Sequence, residues 1–364
     1  YKSAVEPFIR DDMSEPAKEA NKAWLTAMWT QYKASVAKAR GLDVDDFDEE
    51  LDVFLQKFEQ VGGDFAKYAL DFGWVDALKT REQALQEIVA ADGKDESGMG
   101  FNAISYNNYL RMIKPVLPNM PNDMDKVAIV VAKGTILNGT KKPGQIGGDS
   151  TAQLLRKARY DDTVKSVVLY VDSPGGSAFA SEIIRQEVEN LQAVGKPVVA
   201  VMSTYAASGG YWISAGADKI IAAPSTITGS IGIFGMFLTF EKTLDYLGVH
   251  TDGVGTTDFA GMGITKTLNP KLAAIMQRGI EHGYDQFISL VADKREMSKS
   301  QVDEIAQGRV WIGETALKLG LVDEIGYLED GIKAAADLSN LETYDTQYIK
   351  KTLSKSEIFW KEIL

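Results

Sequence analysis

The chain has 364 residues, 45% apolar and 25% charged, a globular composition that excludes disordered and fibrous classes and leaves room for two domains with a core each. A formal net charge of -12, with no local Lys/Arg block to offset it, repels polyphosphate and argues against nucleic acid as a partner. Cysteine is absent, which removes thiol catalysis, disulfides and Cys-ligated zinc together, and the two histidines, His250 and His282, stand too far apart for a helical metal pair.

No run reaches the roughly 18 apolar residues of a membrane-spanning helix, so the chain as it stands is expected to be soluble. It opens at Tyr1 without a basic-then-apolar leader, and an upstream portion is expected. An internal repeat organises the chain. Ala69-Leu-Asp-Phe-Gly-Trp-Val-Asp76 aligns with Ala316-Leu-Lys-Leu-Gly-Leu-Val-Asp323 at an offset of 247, and Gln31-Tyr32 with Val36 aligns with Gln286-Phe287 with Val291 at an offset of 255, the difference being one indel. Each copy reads as an apolar-periodic helix, an acidic connector, and a helix ended by Gly before a short strand.

The expected organisation is the C-terminal part of a first copy over 1–113, a linker over 114–125 where Pro115, Pro118 and Pro121 disfavour helix, a complete second copy over 126–341, and a tail over 342–364. In the second copy, residues 127–132, 164–171, 198–202 and 219–222 are short, β-branched and almost continuously apolar, which predicts strands buried on both faces. Helices are predicted over about 150–160, 178–193 and 209–216. This alternation gives an α/β fold with a largely parallel sheet, a pattern that a plain doubly wound binding domain would share.

Three loops hold candidate chemistry. Asp172-Ser-Pro-Gly-Gly-Ser177 follows a strand and precedes a helix, leaving main-chain N–H groups for an oxyanion, although a tight turn with a helix cap would read the same. Ala206-Ala-Ser208-Gly-Gly-Tyr-Trp212 sets a serine among small residues at a helix start; Ser208 is a candidate nucleophile or an ordinary N-cap. Pro224-Ser-Thr-Ile-Thr-Gly-Ser230-Ile-Gly232 packs hydroxyls into a loop, where Ser230 could orient a base or simply bond its own backbone.

A nucleophilic serine needs a base. His250 sits at a predicted strand edge and His282 on an apolar-periodic helix, and no G-x-S-x-G elbow occurs, which leaves a lysine whose pKa desolvation lowers. Spacing does not single out one lysine.

Together the three strings closely resemble the bacterial signal peptide peptidase (protease IV) family, in its long two-repeat Gram-negative form, and the likeness runs from Tyr1 to about Leu341. The resemblance implies a Clp protease/crotonase-like fold in tandem and a serine endopeptidase with a Ser-Lys dyad, needing neither cofactor nor metal. Ser208 takes the nucleophile's place, the N–H groups of Gly175 and Ser208 the oxyanion hole, and Ser230 the lysine-orienting role. The family's lysine lies in a segment matching Tyr1 to Phe8, which makes Lys2 the general base; the offset of 255 carries Lys2 to Thr257, so the second copy lacks it. Also implied are cleaved signal peptides and other hydrophobic segments as substrates, a homo-oligomer such as a tetramer, and a place at the bacterial inner membrane with the catalytic part on the periplasmic side. The family's membrane anchor and most of the first copy would lie upstream. The rival expectations are an inactive scaffold or assembly subunit, and a crotonase-like enzyme acting on acyl-CoA.

Overall fold

The four runs predicted as strands are apolar at nearly every position because both of their faces are covered. A computed structural model describes residues 3–48, 51–62, 64–95, 101–113, 124–251 and 263–350. The chain begins with helices α1 (Glu15–Arg40), α2 (Leu51–Gln60), α3 (Phe65–Asp71), α4 (Arg81–Asp92) and α5 (Tyr106–Ile113). Then come β1 (Lys126–Lys133), β2 (Ile136–Leu137), β3 (Ile146–Gly147), α6 (Gly148–Arg159), β4 (Val164–Ser173), α7 (Ala178–Ala193), β5 (Val198–Ala207) and α8 (Gly209–Ser214). The rest is β6 (Lys219–Ala222), β7 (Ile227–Gly229), α9 (Glu241–Tyr246), α10 (Pro270–Lys294), α11 (Lys299–Ile305), β8 (Val310–Ile312), α12 (Gly313–Lys318), β9 (Glu324–Ile325), α13 (Leu328–Leu338) and β10 (Asp345–Tyr348). Two compact units result, one from residues 1–28 and 124–364, the other from 29–123.

In the first unit the sheet runs β10-β1-β4-β5-β6-β9 with all neighbours parallel. β7 extends it as a parallel partner to the end of β5 and an antiparallel one to β8. Side-chain alternation sorts the apolar runs into two cores. Ala128, Val130, Val167, Leu169, Val171, Ala200, Met202 and Ile220 face α6, α7, α8 and α10, where Leu155, Ile184, Leu191, Ile213, Phe287 and Val291 meet them. Val127, Ile129, Val168, Val199, Val201 and Ile221 face Ala334, Ala335 and Ala336 of α13. Each such aliphatic side chain contributes about 1.5–3 kcal/mol by leaving water.

Three departures from expectation bear on the site. β5 continues past 202 to Ala207, because Ser203, Thr204 and Tyr205 bulge out of the β4 ladder between the rungs Val171↔Met202 and Ser173↔Ala206, and polar bulge residues read as a loop. Ile227–Gly229, expected within a polar loop, is β7. Residues 345–348, expected in the tail, form β10 beside β1, and the second copy's short strand falls at Glu324–Ile325 rather than on Leu321-Val-Asp323. Of the expected linker, residues 114–123 lie outside the described residues. Among the described residues no helix is long and apolar enough to cross a membrane.

The second unit is helical, and aromatic rings pack against one another in it. Phe54, Phe58, Phe65, Tyr68 and Phe72 form one group of ring contacts, Trp29, Tyr32, Phe47 and Trp74 another. The stretch 74–76, predicted as a strand, is a bend: the N–H groups of Trp74 and Val75 both donate to Ala69 O, at 2.8 and 3.1 Å.

Features of this unit recur in the other at the offsets read from the sequence. α1 starts at Glu15 and α10 at Pro270, 255 residues on. Trp74 N donates to Ala69 O and Leu321 N to Ala316 O, both at 2.8 Å, after Gly73 and Gly320 with φ of 77° and 74°. Arg40 bonds Gly73 O at 3.0 Å and pairs with Asp76, as Arg295 bonds Gly320 O at 2.8 Å and pairs with Asp323. At the helix starts that follow, the N–H of Thr80 donates to Gln83 Oε1 and that of Tyr327 to Asp330 Oδ2, each three residues on.

The small residues of α13 let it approach the sheet closely, and a Cβ added at Gly331 would run into Val201 Cγ2. Gly331→Val is therefore expected to destabilise the chain by about 1–3 kcal/mol through overpacking, read as a lower urea midpoint; an unchanged midpoint would mean that α13 does not seat on Val201.

Candidate active site

Ser208 lies where a parallel strand turns abruptly into a helix. The β5–β7 ladder pairs Tyr205↔Ile227, Ala206↔Thr228 and Ala207↔Gly229, and the Ser208 N–H donates to Gly229 O at 2.9 Å. Beyond that bond the backbone of Ser208 takes φ 56°, ψ -116°, a region costing a non-glycine residue about 1–3 kcal/mol, and α8 starts at Gly209. Ser208 is half-buried, and its Oγ bonds no described residue. Ser230 is the corresponding first residue past β7, also at positive φ (51°), with its N–H donating to Arg309 O at 2.6 Å. The ladder thus delivers Ser208 and Ser230 at neighbouring strand ends.

What holds the strained turn is the anchoring of α8. The fully buried Tyr211 hydroxyl donates to Leu321 O at 2.8 Å, and burial keeps its pKa far above the ordinary phenol value. Trp212 donates through Nε1 to Glu182 at 2.9 Å and packs its ring 4.6 Å from that of Phe287. Burial pushes the Glu182 carboxyl up, but bonds from Arg185, Trp212 and Gln186 outweigh it and leave its pKa lowered, so the carboxylate is the acceptor that Trp212 meets.

The Asp172–Ser177 turn lies against Ser208. A Cβ built on Gly175 (φ 105°) would stand 2.7 Å from Ser208 Cβ and 2.8 Å from both Ala207 O and Gly209 N. Likewise, a Cβ on Gly209 would meet Ser181 Oγ at 2.6 Å and Gly176 N at 3.2 Å, and one on Gly210 would meet Ser173 O at 2.7 Å. The glycines are required because two main chains touch there.

The N–H groups of Gly175 and Ser208, expected to form an oxyanion hole, both have acceptors in this structure. The Gly175 N–H donates to Ser173 Oγ at 3.1 Å, and that of Ser208 to Gly229 O, so both expected donors are engaged. The Ser177 N–H goes to Ile136 O at 2.8 Å and Ile136 N to Gly175 O at 2.9 Å, while Pro174 has no N–H. Gly176 and Gly209 are left with N–H groups that meet no acceptor among the described residues, and they are neighbours. The six-residue α8 offers individual N–H groups here rather than a helix dipole. Which N–H is engaged depends on acceptors at 136 and 229, remote in sequence, and on one within the turn itself, Ser173 Oγ.

Lys2 and Thr257 lie outside the described residues. Of the described lysines, Lys196 has its pKa lowered by burial, but its ammonium bonds Ala158 O, Arg159 O and Asp161 O at 3.1, 2.8 and 2.7 Å, which closes the end of α6 and commits it to structure. His250 is exposed beside Asp245, and His282 is exposed on α10.

Two surfaces flank the turn. A cavity of about 550 Å³ borders the β5 bulge, lined in part by Tyr170, Val201, Tyr205, Ile227 and Leu328. Past Ser230, residues 231–240 adopt no regular secondary structure, and Phe234, Met236, Leu238 and Phe240 are each 48–49% exposed.

A model of peptidase family S49 matches residues 1–94 and 190–342, the latter stretch including Ser208 and Ser230. The chain belongs to peptidase family S49. It is 44% identical over 348 residues to Protease 4 of Salmonella typhi, covering 96% of this chain and 55% of that one. It is 46% identical over 342 residues to Protease 4 of Haemophilus influenzae, at 93% and 55% coverage. The S49 likeness extends to the chloroplastic serine protease SPPA of Arabidopsis thaliana, 29% identical over 350 residues, at 94% and 50%. This S49 chain spans about half the length of these relatives.

Because a side chain at 175 would displace Ser208 itself, Gly175→Ala is expected to lower the rate of Ser208 labelling by a small fluorophosphonate at least about 100-fold with the fold intact by circular dichroism; labelling at the parent rate would show that the turn can move aside.

Proposed function

We propose that this chain is a serine endopeptidase working through an acyl-enzyme, with Ser208 as nucleophile and Lys2 as general base. The observation that carries it is the strained Ser208 beside two adjacent N–H groups, of Gly176 and Gly209, that have no acceptor among the described residues. A strand-to-helix turn of this kind projects a hydroxyl away from its neighbours, and paired free donors beside it suit a tetrahedral oxyanion. Membership of family S49 and likeness to proteins named Protease 4 point the same way.

In this mechanism Lys2, acting in its neutral form, takes the Ser208 Oγ proton as Oγ attacks the scissile carbonyl carbon. The carbonyl oxygen, now an oxyanion, is held by the N–H groups of Gly176 and Gly209. Lysine then gives the proton to the leaving amine, the C–N bond breaks, and water hydrolyses the Ser208 ester by the same route in reverse. Ser230, at the neighbouring strand end, orients the lysine. Neither cofactor nor metal takes part.

Signal peptides released from their precursors, and other hydrophobic segments, are the proposed substrates. The exposed apolar side chains of Phe234, Met236, Leu238 and Phe240 offer such a peptide a surface to pack on. The fold is proposed to be Clp protease/crotonase-like in tandem, supported by the recurrence of helix start, Gly turn, arginine clamp and N-cap N–H bond at constant offsets. Assembly as a homo-oligomer at the periplasmic side of the bacterial inner membrane completes the proposal, on the strength of the Gram-negative relatives.

A fluorogenic apolar peptide should be cleaved by the chain and not by Ser208→Ala or Lys2→Ala. The rate should rise with pH within about 6 to 10, since only the deprotonated amine is a base. Hydrolysis that persists in Ser208→Ala, or a rate that falls as pH rises through this range, would rule the dyad out.

A further inference from the structure

The turn that carries the Gly176 N–H is held at two ends, and only one end faces the nucleophile. Its outer end is zipped to β2, through Ile136 N to Gly175 O and Ser177 N to Ile136 O. Its inner end hangs on one side chain: the hydroxyl of Ser173, wholly buried, accepts the Gly175 N–H at 3.1 Å. Ser173 is itself fixed relative to Ser208. It closes the β4–β5 ladder opposite Ala206, two residues before Ser208, and its carbonyl lies where a Cβ of Gly210 would come to 2.7 Å.

We infer that Ser173 is a positioning residue of the oxyanion hole, the side-chain hold that works beside the main-chain hold of Ile136. Pro174 contributes no N–H, and Gly175 and Gly176 have φ of 105° and 154°, values that offer little torsional resistance in glycine. Without the hydroxyl, the buried Gly175 N–H has no acceptor and the Pro174–Gly175 peptide turns to find one. The Gly175–Gly176 peptide, then held on its carbonyl side alone by the Ile136 N–H, pivots about that bond, and its N–H shifts from its place beside Gly209. Ser173 touches neither substrate nor the reacting atoms, and it acts through the orientation of the next two peptides. The inference rests on the acyl-enzyme reading above.

The test compares the parent chain, Ser173→Ala and Ser173→Cys, the thiol keeping the volume while accepting weakly. Both variants should lose about 10- to 100-fold in kcat on the fluorogenic peptide, with KM within about twofold, because a misplaced donor costs transition-state binding rather than ground-state binding. Affinity for a peptide aldehyde, which forms a tetrahedral adduct with Ser208, should fall by the same factor while the melting temperature holds. Unchanged kcat in both variants, or kcat, KM and melting temperature moving together as for a packing defect, would overturn the role of Ser173 while leaving the peptidase reading in place. Parent hydrolysis that is absent or survives Ser208→Ala would overturn that reading and the inference with it, so the two failures are told apart by the parent controls.

Discussion

The hydrogen bond from the Ser208 N–H to Gly229 O is the last rung of a three-residue ladder, and the geometry of the site depends on it. It pins the serine to the strand on its N-terminal side just where Gly209 must enter a helix, so the change of direction falls on Ser208 and is taken up as strained backbone. The same bond engages the Ser208 N–H, and the next N–H along the chain, that of Gly209, meets no acceptor among the described residues. Strain of that size persists only where the surroundings over-determine the conformation, and here a tyrosine hydroxyl, a tryptophan indole and two buried cores do so.

Topology explains why two remote glycine turns meet. β4 and β5 are parallel neighbours, so the loops after them leave the same edge of the sheet side by side. One loop brings Gly175 and Gly176, the other Ser208 and Gly209, and β7 adds Ser230 from the far side of β5. This is the edge where open parallel sheets bind ligands, because it alone gathers several chain reversals at one place. The apolar strand interiors supply rigidity, and the polar residues are reserved for the ends.

Much of this was legible from residue patterns. The strand runs stood out because both faces of each are buried, and α7 at 178–193 falls where apolar periodicity and the Ser177 cap place it. Legibility failed where structure depends on distant partners. Ile227-Thr-Gly229 is a strand because β5 overshoots its polar bulge and offers an edge, and Asp345–Tyr348 is one because β1 does. The acceptor that engages the Ser208 N–H, Gly229 O, is likewise remote in sequence, whereas the one that engages the Gly175 N–H, Ser173 Oγ, lies within the same string.

The arginine clamp appears twice, at Arg40 over Gly73 and Asp76 and at Arg295 over Gly320 and Asp323, and the two are not equally well made. Arg295 uses Nε and both terminal nitrogens; Arg40 uses its terminal pair and leaves a buried Nε unsatisfied. The tighter copy is the one whose turn also receives the Tyr211 hydroxyl. The chain therefore holds a tuned and a relaxed version of one fastening, and the tuned one braces α8, the helix that starts just past the strained turn at Ser208, a grade of tolerance written twice in one polypeptide.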